Sequence, residues 1–329
     1  MKKDKNTTMH KTSVGGQALI EGIMMNGPKG AAMSVRLPDG TIDTEYKEFK
    51  HIKDKIKPLG WPVIRGVVNF IETMIFGYKC LMESADKSGL SDLEAEENAS
   101  KLDLWLEKHL TKKAMAVVTG VASVLGIALA MVLFMYLPSL ACDGINYLAG
   151  GRMSDQLIVL CEGLIRVVIF IGYMAAVSLM KDVRRTFMYH GAEHKTIFCY
   201  EKGCELTVEN VKKQSRFHPR CGTSFMFVMI FLSVVVSLLL SFLFPNLRSF
   251  STVLWVCVKI LVMPLVMGLG YEFIRYAGRH DNLFVKIISA PGLWMQRLTT
   301  KEPDDKMIEV GIAAFKAVIT DNPEDDAVR

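Results

Sequence analysis

The chain has 329 residues, of which 50% are hydrophobic and 22% are charged. Its mean hydropathy of +0.26 is too high for an ordinary soluble domain and indicates a membrane protein with more than one domain. The net charge of +5 is the modest excess of Lys and Arg that cytoplasmic loops of a membrane protein carry, so we expect no specific nucleic-acid binding.

The N-terminal residues and the cysteines set two further expectations. MKKDKNTTMHK starts basic but leads into GGQALIEG, which glycines and a glutamate interrupt, so we expect no cleavable signal and insertion through internal segments. Seven cysteines are an odd count, and three of them lie in or beside apolar runs, as small hydrophobic residues do. A disulfide framework is therefore not expected.

Residues 13–50 mix short apolar runs with Gly, Pro and Asp, as strands joined by turns do. LPDGT at Leu37–Thr41 is a turn signature between two predicted strands, MSVRL and IDTEY. We therefore expect a small β-rich cytoplasmic unit over residues 1–60. Glu21 lies in GGQALIEGIMMNG, which lacks phosphate-loop spacing; it is either the flank of an exposed strand, which we favour, or a site carboxylate.

Residues 61–110 predict two helices. The first, from Trp61, carries Arg65, Asn69 and Glu72 on one stripe. It either lies on the bilayer as an amphipathic element, which we favour, or is partly buried with its charges paired. Residues 83–110 are acidic with a helical rhythm and predict a solvated linker helix.

Four later segments are each apolar over about 20 residues, the length that crosses a hydrocarbon core. They predict an α-helical polytopic membrane protein with transmembrane hairpins at residues 111–182 and 225–273, around a central loop at residues 183–224. The predicted spans are Ala114–Leu140, Leu157–Met180, Phe225–Phe244 and Thr252–Tyr271.

The second span holds two charged residues, Glu162 and Arg166, one helical turn apart, and Lys259 of the fourth span could face the same carboxylate. We favour a buried or interhelical charge pair over a transport or relay role. A small-solute transporter is the second alternative function, and these three residues are its only support. We find no internal repeat, which disfavours a transporter built from inverted halves.

Basic residues predict the orientation of the spans. Two lysines precede the first span, nine basic residues follow the second, and two arginines follow the fourth, whereas the two remaining loops hold only Arg152 and Arg248. Since basic loops stay in the cytoplasm, both termini and the central loop are expected there, in a multi-pass protein of the bacterial inner membrane.

Residues 274–329 predict two helices after the last span. DNLFVKIISAPGLWMQRLTT is too short to cross again and is interrupted by Pro291 and Gly292, so we expect an interfacial helix. EPDDKMIEVGIAAFKAVITDNP has an acidic start, apolar positions with a period of 3.6 and a DNP stop, which predict an amphipathic helix that docks onto a partner surface.

The central loop carries the residues with metal chemistry. His190, Glu193 and His194 form H-x-x-E-H, which on a helix places two imidazoles on one face with a carboxylate beside them, as in inverted zinc proteases. His218 and Cys221 follow as HPRC, an imidazole and a thiolate in a tight turn.

Three interpretations of these residues stay open. His190 and His194, with His218 or Cys221, could form an open hydrolytic metal site in which Glu193 is the general base. Alternatively, a closed structural zinc knot could use Cys199, Cys204, His218 and Cys221. Finally, Cys221 could be a nucleophile whose pKa is lowered beside Arg220.

Several motifs together resemble the YqhQ-type family of bacterial integral membrane proteins, a family of unknown function catalogued as predicted metal-dependent enzymes. The motifs are GGQALIEGIMM, YHGAEHKTI, LTVENV, HPRCGTSF and APGLWMQRLTTKEPDD, and they cover nearly the whole chain. The resemblance implies a membrane protein of that kind and increases the weight on the H-x-x-E-H and HPRC residues.

We therefore expect a cytoplasm-facing site for a divalent metal, with zinc favoured, in a metal-dependent hydrolase whose substrate is a peptide or another molecule delivered by the membrane. The first alternative is a non-catalytic assembly or scaffold subunit that holds a protein partner such as insertion machinery or a ribosome. The lipid bilayer is the expected partner in either case.

Overall fold

The computed structural model describes residues 11–48, 57–89, 112–245, 247–280, 282–320 and 322–326. The fold is mostly helical, with a four-stranded antiparallel sheet near the N-terminus, as the sequence predicts. The chain divides into two compact units. One contains Met1–Leu90, Met174–Val228 and Met267–Arg329, and the other contains Ser91–Tyr173 and Met229–Val266.

The sheet is a meander in which each strand pairs with the next along the chain. The predicted turn at Leu37–Thr41 is formed, with Gly40 at φ 86° and the Asp39 carboxylate accepting the Thr41 N–H at 2.9 Å. Arg36 and Ile42 are partners on either side of this turn. The four strands are β1 Gly15–Leu19, β2 Gly22–Gly27, β3 Gly30–Arg36 and β4 Ile42–Lys47.

Both faces of the sheet are covered, because strand residues alternate between two cores. One core joins Ile23 and Met25 to helices α5 (Lys181–Glu201) and α11 (Asp305–Val318). The other joins Met24 and its neighbours to helix α1 (Ile64–Lys87). The predicted amphipathic tail helix is α11, capped by Asp304 at the Met307 N–H (2.8 Å), and it docks onto the sheet and α5 of its own chain.

Helix α1 buries its polar stripe and exposes apolar side chains. Arg65 forms a two-pronged ion pair with Glu272 (2.6 and 2.5 Å), and Asn69 donates to the Tyr271 hydroxyl at 2.8 Å. Ile71, Met74, Ile75 and Tyr78, by contrast, are all at least half exposed. The charges are therefore paired, as in the alternative that the sequence ranked second, and the exposed face is apolar. The acidic linker helix was predicted over residues 83–110. Its first residues belong to the end of α1, and residues 90–110 lie outside the described part of the chain.

Four helical segments in the described part of the chain are long and apolar enough to cross a bilayer, as the sequence predicts. They are Gly120–Leu148, Asp155–Val177, Phe225–Leu243 and Thr252–Ala277. The helices that form them are α2 Lys112–Met131 with the π turn Val132–Tyr136 and α3 Leu137–Leu148, then α4 Asp155–Val177, α7 Gly222–Leu243 and α9 Thr252–Arg279. The remaining helices are α6 Val208–Lys212, α8 Leu247–Phe250 and α10 Leu283–Thr299.

The second unit contains a buried charge network around Glu162. Lys259 lies 3.1 Å and Arg248 3.4 Å from the two carboxylate oxygens, and the Trp255 indole N–H donates at 3.2 Å. Arg166 does not bond Glu162; it donates to the Phe134 carbonyl at 2.9 Å, within the π turn, and to Ser233 at 2.8 Å. The buried interhelical pair that the sequence favours is therefore the one between Glu162 and Lys259.

Removing one member of this pair should destabilise the protein strongly, because the remaining charge stays buried. We expect Glu162→Gln or Lys259→Met alone to cost about 3–5 kcal/mol, and Glu162→Gln with Lys259→Met to cost less than the sum. Unfolding of the purified protein in detergent would measure this, with Arg152→Gln at an exposed position as the control. Single variants as stable as the control would contradict the assignment.

Candidate metal centre

The H-x-x-E-H segment lies in the second half of helix α5, as its spacing predicts. Glycine inside a helix costs about 1 kcal/mol relative to alanine. Gly191 is required here nonetheless, because a Cβ atom at this position would overlap the carbonyl oxygen of Lys301. The absence of a side chain lets the segment after α10 pass directly over the helix, beside His190.

Backbone carbonyls fix the orientation of both imidazoles. His190 Nδ1 lies 2.9 Å from the Thr299 carbonyl oxygen, and His194 Nδ1 lies 2.6 Å from that of Arg216. Since a carbonyl only accepts, each Nδ1 atom is the donor, and in the neutral tautomer each Nε2 atom then carries the lone pair. Burial lowers the pKa of His194, which also favours the neutral ring.

His190, His194 and Cys221 come together as a triad of possible metal ligands. His190 Nε2 lies 3.2 Å from Cys221 Sγ, and the ring centroids of His190 and His194 are 4.4 Å apart. One possible ligand atom from each of the three residues lies within 4.8 Å of the others. In the described part of the chain, this is the one group of three or more His, Cys, Asp or Glu residues that could hold a metal.

Gln296 and Glu201 hold the HPRC turn in place. The fully buried Gln296 side chain accepts the His218 N–H and donates to the His218 carbonyl, each at 2.7 Å. Arg220 forms an ion pair with the buried carboxylate of Glu201. Burial raises the pKa of Glu201, but the bonds from His218 and Arg220 outweigh it and keep the pKa below the ordinary value. Contacts at His218 and at Arg220 thus hold the turn, and thereby the position of Cys221 at its end.

His218 lies beside the triad but faces away from it. Its Nδ1 accepts the Arg220 N–H at 3.3 Å, and its Nε2 lies 3.5 Å from Glu201. Burial lowers the pKa of His218, against the effect of Glu201. The buried Nε2 atom has no hydrogen-bond partner among the described residues, but His218 does not belong to the group that could hold a metal, so of the two expected alternatives for the third ligand the geometry favours Cys221.

Glu193 is buried next to the triad without belonging to it. Its carboxylate accepts the Gly16 N–H of strand β1, and burial raises its pKa above the ordinary value. Electrostatic interaction with His190 lowers the pKa in part. A Cβ atom at Gly16 would crowd the Glu193 carboxyl carbon at 3.1 Å, so this glycine lets the strand approach the carboxylate.

The structure does not bring together the four residues of the proposed zinc knot. Cys199 Sγ lies 3.5 Å from the Glu205 carbonyl oxygen, and Cys204 Sγ lies 3.9 Å from that of Lys202. Burial, with a smaller effect of Cys204, raises the pKa of the Cys199 thiol to about 11.

The other candidate residues have structural partners. Glu21 lies at φ 50° in the turn between β1 and β2, where it forms an ion pair with Arg185 and accepts the Tyr189 hydroxyl at 3.0 Å. It thereby ties the sheet to α5 just before His190. Arg220 pairs with Glu201, and in the second unit Glu162 pairs with Lys259 whereas Arg166 donates to the Phe134 carbonyl and to Ser233.

Comparison with known proteins identifies the family. Residues 61–321 match the family described as "Protein of unknown function (DUF1385)". The chain belongs to this family. It is also 32% identical over 313 residues to an uncharacterized protein, YqhQ, of Bacillus subtilis (strain 168), which covers 93% of this chain and 92% of the relative. The resemblance drawn from the motifs is thus confirmed. No solved structure matches the chain.

Sequence analysis missed Gln296, Thr299 and Glu201, which orient the site without being possible ligands in the triad. Gln296 and Thr299 lie in APGLWMQRLTT, one of the motifs shared with the family, and this was the available signal. Their role is invisible locally because their partners lie 78 and 109 residues away along the chain.

The donor set fits zinc. Zinc binds imidazole nitrogen and thiolate sulfur at four-coordinate sites, and three protein ligands with a fourth position open is the pattern of catalytic sites. Carbonyl acceptors on the outer ring nitrogens are the second shell that such ligands normally have. Calcium and magnesium prefer oxygen ligands and do not suit this set.

Metal analysis of variants would test the ligand set. We expect His190→Ala, His194→Ala and Cys221→Ser each to abolish stoichiometric zinc, because each removes one of three ligands. His218→Ala should keep zinc at wild-type stoichiometry and lower thermal stability, because His218 supports Glu201 and the turn. Plasma mass spectrometry after gel filtration would measure both. Zinc lost from His218→Ala but kept by Cys221→Ser would overturn the assignment.

Proposed function

We propose that this protein is a multi-pass protein of the bacterial inner membrane that carries a zinc site and acts as a metal-dependent hydrolase. Four apolar helices of spanning length support the membrane location. The exposed apolar faces of α1 and α10 support it further, because such faces suit the interfacial region of a bilayer.

Basic residues orient the site towards the cytoplasm in this proposal. The loops at residues 149–154 and 245–251 hold one arginine each, Arg152 and Arg248. The segment from Lys181 to Cys221, which contains the triad, is rich in Lys and Arg. The reducing cytoplasm would keep Cys221 as a free thiol able to bind metal.

Reporter fusions would test the orientation. We expect a periplasmic reporter, alkaline phosphatase, to be active when fused after residue 150 and inactive after residue 205 or at the C-terminus. A fluorescent protein that folds only in the cytoplasm should give the reverse pattern. Phosphatase activity after residue 205 would place the triad outside and would contradict the proposal.

One observation carries the metal proposal: the partly buried His190 and the buried His194 and Cys221 each place a possible ligand atom within 4.8 Å of the other two, and both Nδ1 atoms are already held by carbonyls. The thiol has one proton, so it can donate to one imidazole at a time. A divalent cation satisfies both nitrogens and the sulfur together. The hydrolase proposal rests in addition on the number of ligands, because three protein ligands leave a coordination position for water or substrate.

Glu193 is the residue that would move the proton. Zinc with an open position acts as a Lewis acid that makes a nucleophile from water at neutral pH. Burial raises the pKa of Glu193 in the direction of neutral pH, and a general base is most effective when its pKa lies near the working pH. The Gly16 N–H holds one carboxylate oxygen, which fixes the group beside His190.

Glu193→Gln separates catalysis from metal binding. The amide keeps the shape of the side chain and loses its basicity, so we expect full zinc content and at least a roughly 100-fold loss of hydrolysis. A fluorogenic peptide library with the zinc-loaded protein in nanodiscs would provide the assay. Glu205→Gln, at an exposed position outside the triad, is the matched control.

The outcomes have distinct meanings. Cleavage by Glu193→Gln at the wild-type rate would end the hydrolase proposal even with zinc bound. A wild-type protein that takes up no zinc would end the metal proposal as well, and would favour a non-catalytic assembly subunit.

A further inference from the structure

A cavity of about 220 Å³ lies at the end of the fourth candidate span, in the unit that carries the sheet. Three exposed side chains from the last turns of α9, and that of His280 just after it, form much of its wall. Arg65 of α1 and Glu272 of α9 complete it. The lining residues are Arg65, Glu272, Arg275, Tyr276, Arg279 and His280.

The charges around this cavity favour an anion. Among the described residues, three guanidinium groups and one imidazole line it, with a single carboxylate. That carboxylate, Glu272, is already held by Arg65 through two bonds of 2.6 and 2.5 Å. Guanidinium groups bind phosphate through paired N–H donors. Arginines therefore suit a phosphate better than lysines, whose ammonium groups act as point charges.

The other wall is aromatic and comes close to the apolar start of α10. The His280 ring stacks on Tyr276 with centroids 4.1 Å apart, and the Tyr276 hydroxyl accepts from Asn282 at 3.1 Å. The next residues, Leu283 and Phe284, are 73% and 57% exposed. Phe284 also packs edge-on against Phe273 at 6.0 Å. A cationic cavity is therefore adjacent to exposed apolar side chains.

We propose that this cavity binds the phosphate of an anionic phospholipid headgroup. A free phosphate would use only the arginines, whereas a lipid would also cover Leu283 and Phe284 with its acyl chains. The cavity lies where α9 ends its apolar stretch, at the level at which headgroups meet a spanning helix. Its volume, below the roughly 300–1,000 Å³ of sites for whole small molecules, fits a headgroup. The site is independent of the metal centre.

Native mass spectrometry of the full chain in detergent would test the proposal with phosphatidylglycerol and phosphatidylcholine as probes. We expect preferential retention of phosphatidylglycerol. Arg275→Gln should weaken its binding roughly fivefold, and Arg275→Gln with Arg279→Gln roughly twenty- to thirtyfold. Arg297→Gln, which removes an exposed arginine outside the cavity, should leave it unchanged. Inorganic phosphate should stabilise the lipid-free protein far less than phosphatidylglycerol does.

Four results would overturn the proposal. Equal retention of the two lipids would remove the preference for a negative headgroup. Equal weakening by Arg275→Gln and Arg297→Gln would reduce the effect to overall charge. Binding unchanged in the double variant would place the lipid elsewhere. Inorganic phosphate that stabilises as strongly as phosphatidylglycerol would show a site for free anions.

Discussion

The candidate site depends on the position of two backbone carbonyls, those of Thr299 and Arg216. An imidazole without a partner on Nδ1 can rotate and change tautomer, and its Nε2 then has no fixed direction. The carbonyl of Thr299 reaches His190 because Gly191, having no side chain, lets the segment around Lys301 lie on α5. Gln296 and Glu201 fix the turn that presents Cys221. The candidate ligands are therefore ordered by neighbours that lie outside the triad.

Local patterns were sufficient to predict the elements on which the site is built. The turn at Leu37–Thr41, the four apolar helices and the tail helix with its Asp304 cap each depend on residues close in sequence. The spacing of His190 and His194 likewise fixed their common face once the helix was assumed. Periodicity, length and capping are short-range properties, and a sequence displays them directly.

Partners across long sequence separations could not be predicted in the same way. From the HPRC motif alone, His218 and Cys221 were equally good candidates for the third ligand. The contacts of His218 with Glu201 and Gln296, which lie elsewhere in the sequence, could not be predicted from the motif. The polar stripe of α1 predicted a helix lying on the bilayer, and nothing local to it showed that Glu272 and Tyr271 of α9 would bond Arg65 and Asn69. Which face of an amphipathic helix is buried depends on what packs against it, and the stripe itself is the same in both cases.

Two polar clusters in the described part of the chain, the one around Glu162 and the triad, differ in how their charges are compensated. Around Glu162, cations and a carboxylate meet, so each group finds its opposite within the protein. Around Cys221, two imidazole lone pairs and a sulfur meet, and all three are acceptors once the thiol gives up its proton. A buried set of acceptors is stable only when a cation or a shared proton lies among them. The charges around Glu162 are balanced within the protein, whereas the acceptors around Cys221 are complementary to a positive ion. This difference is the physical reason for proposing metal binding at the triad and a structural role for the charge network.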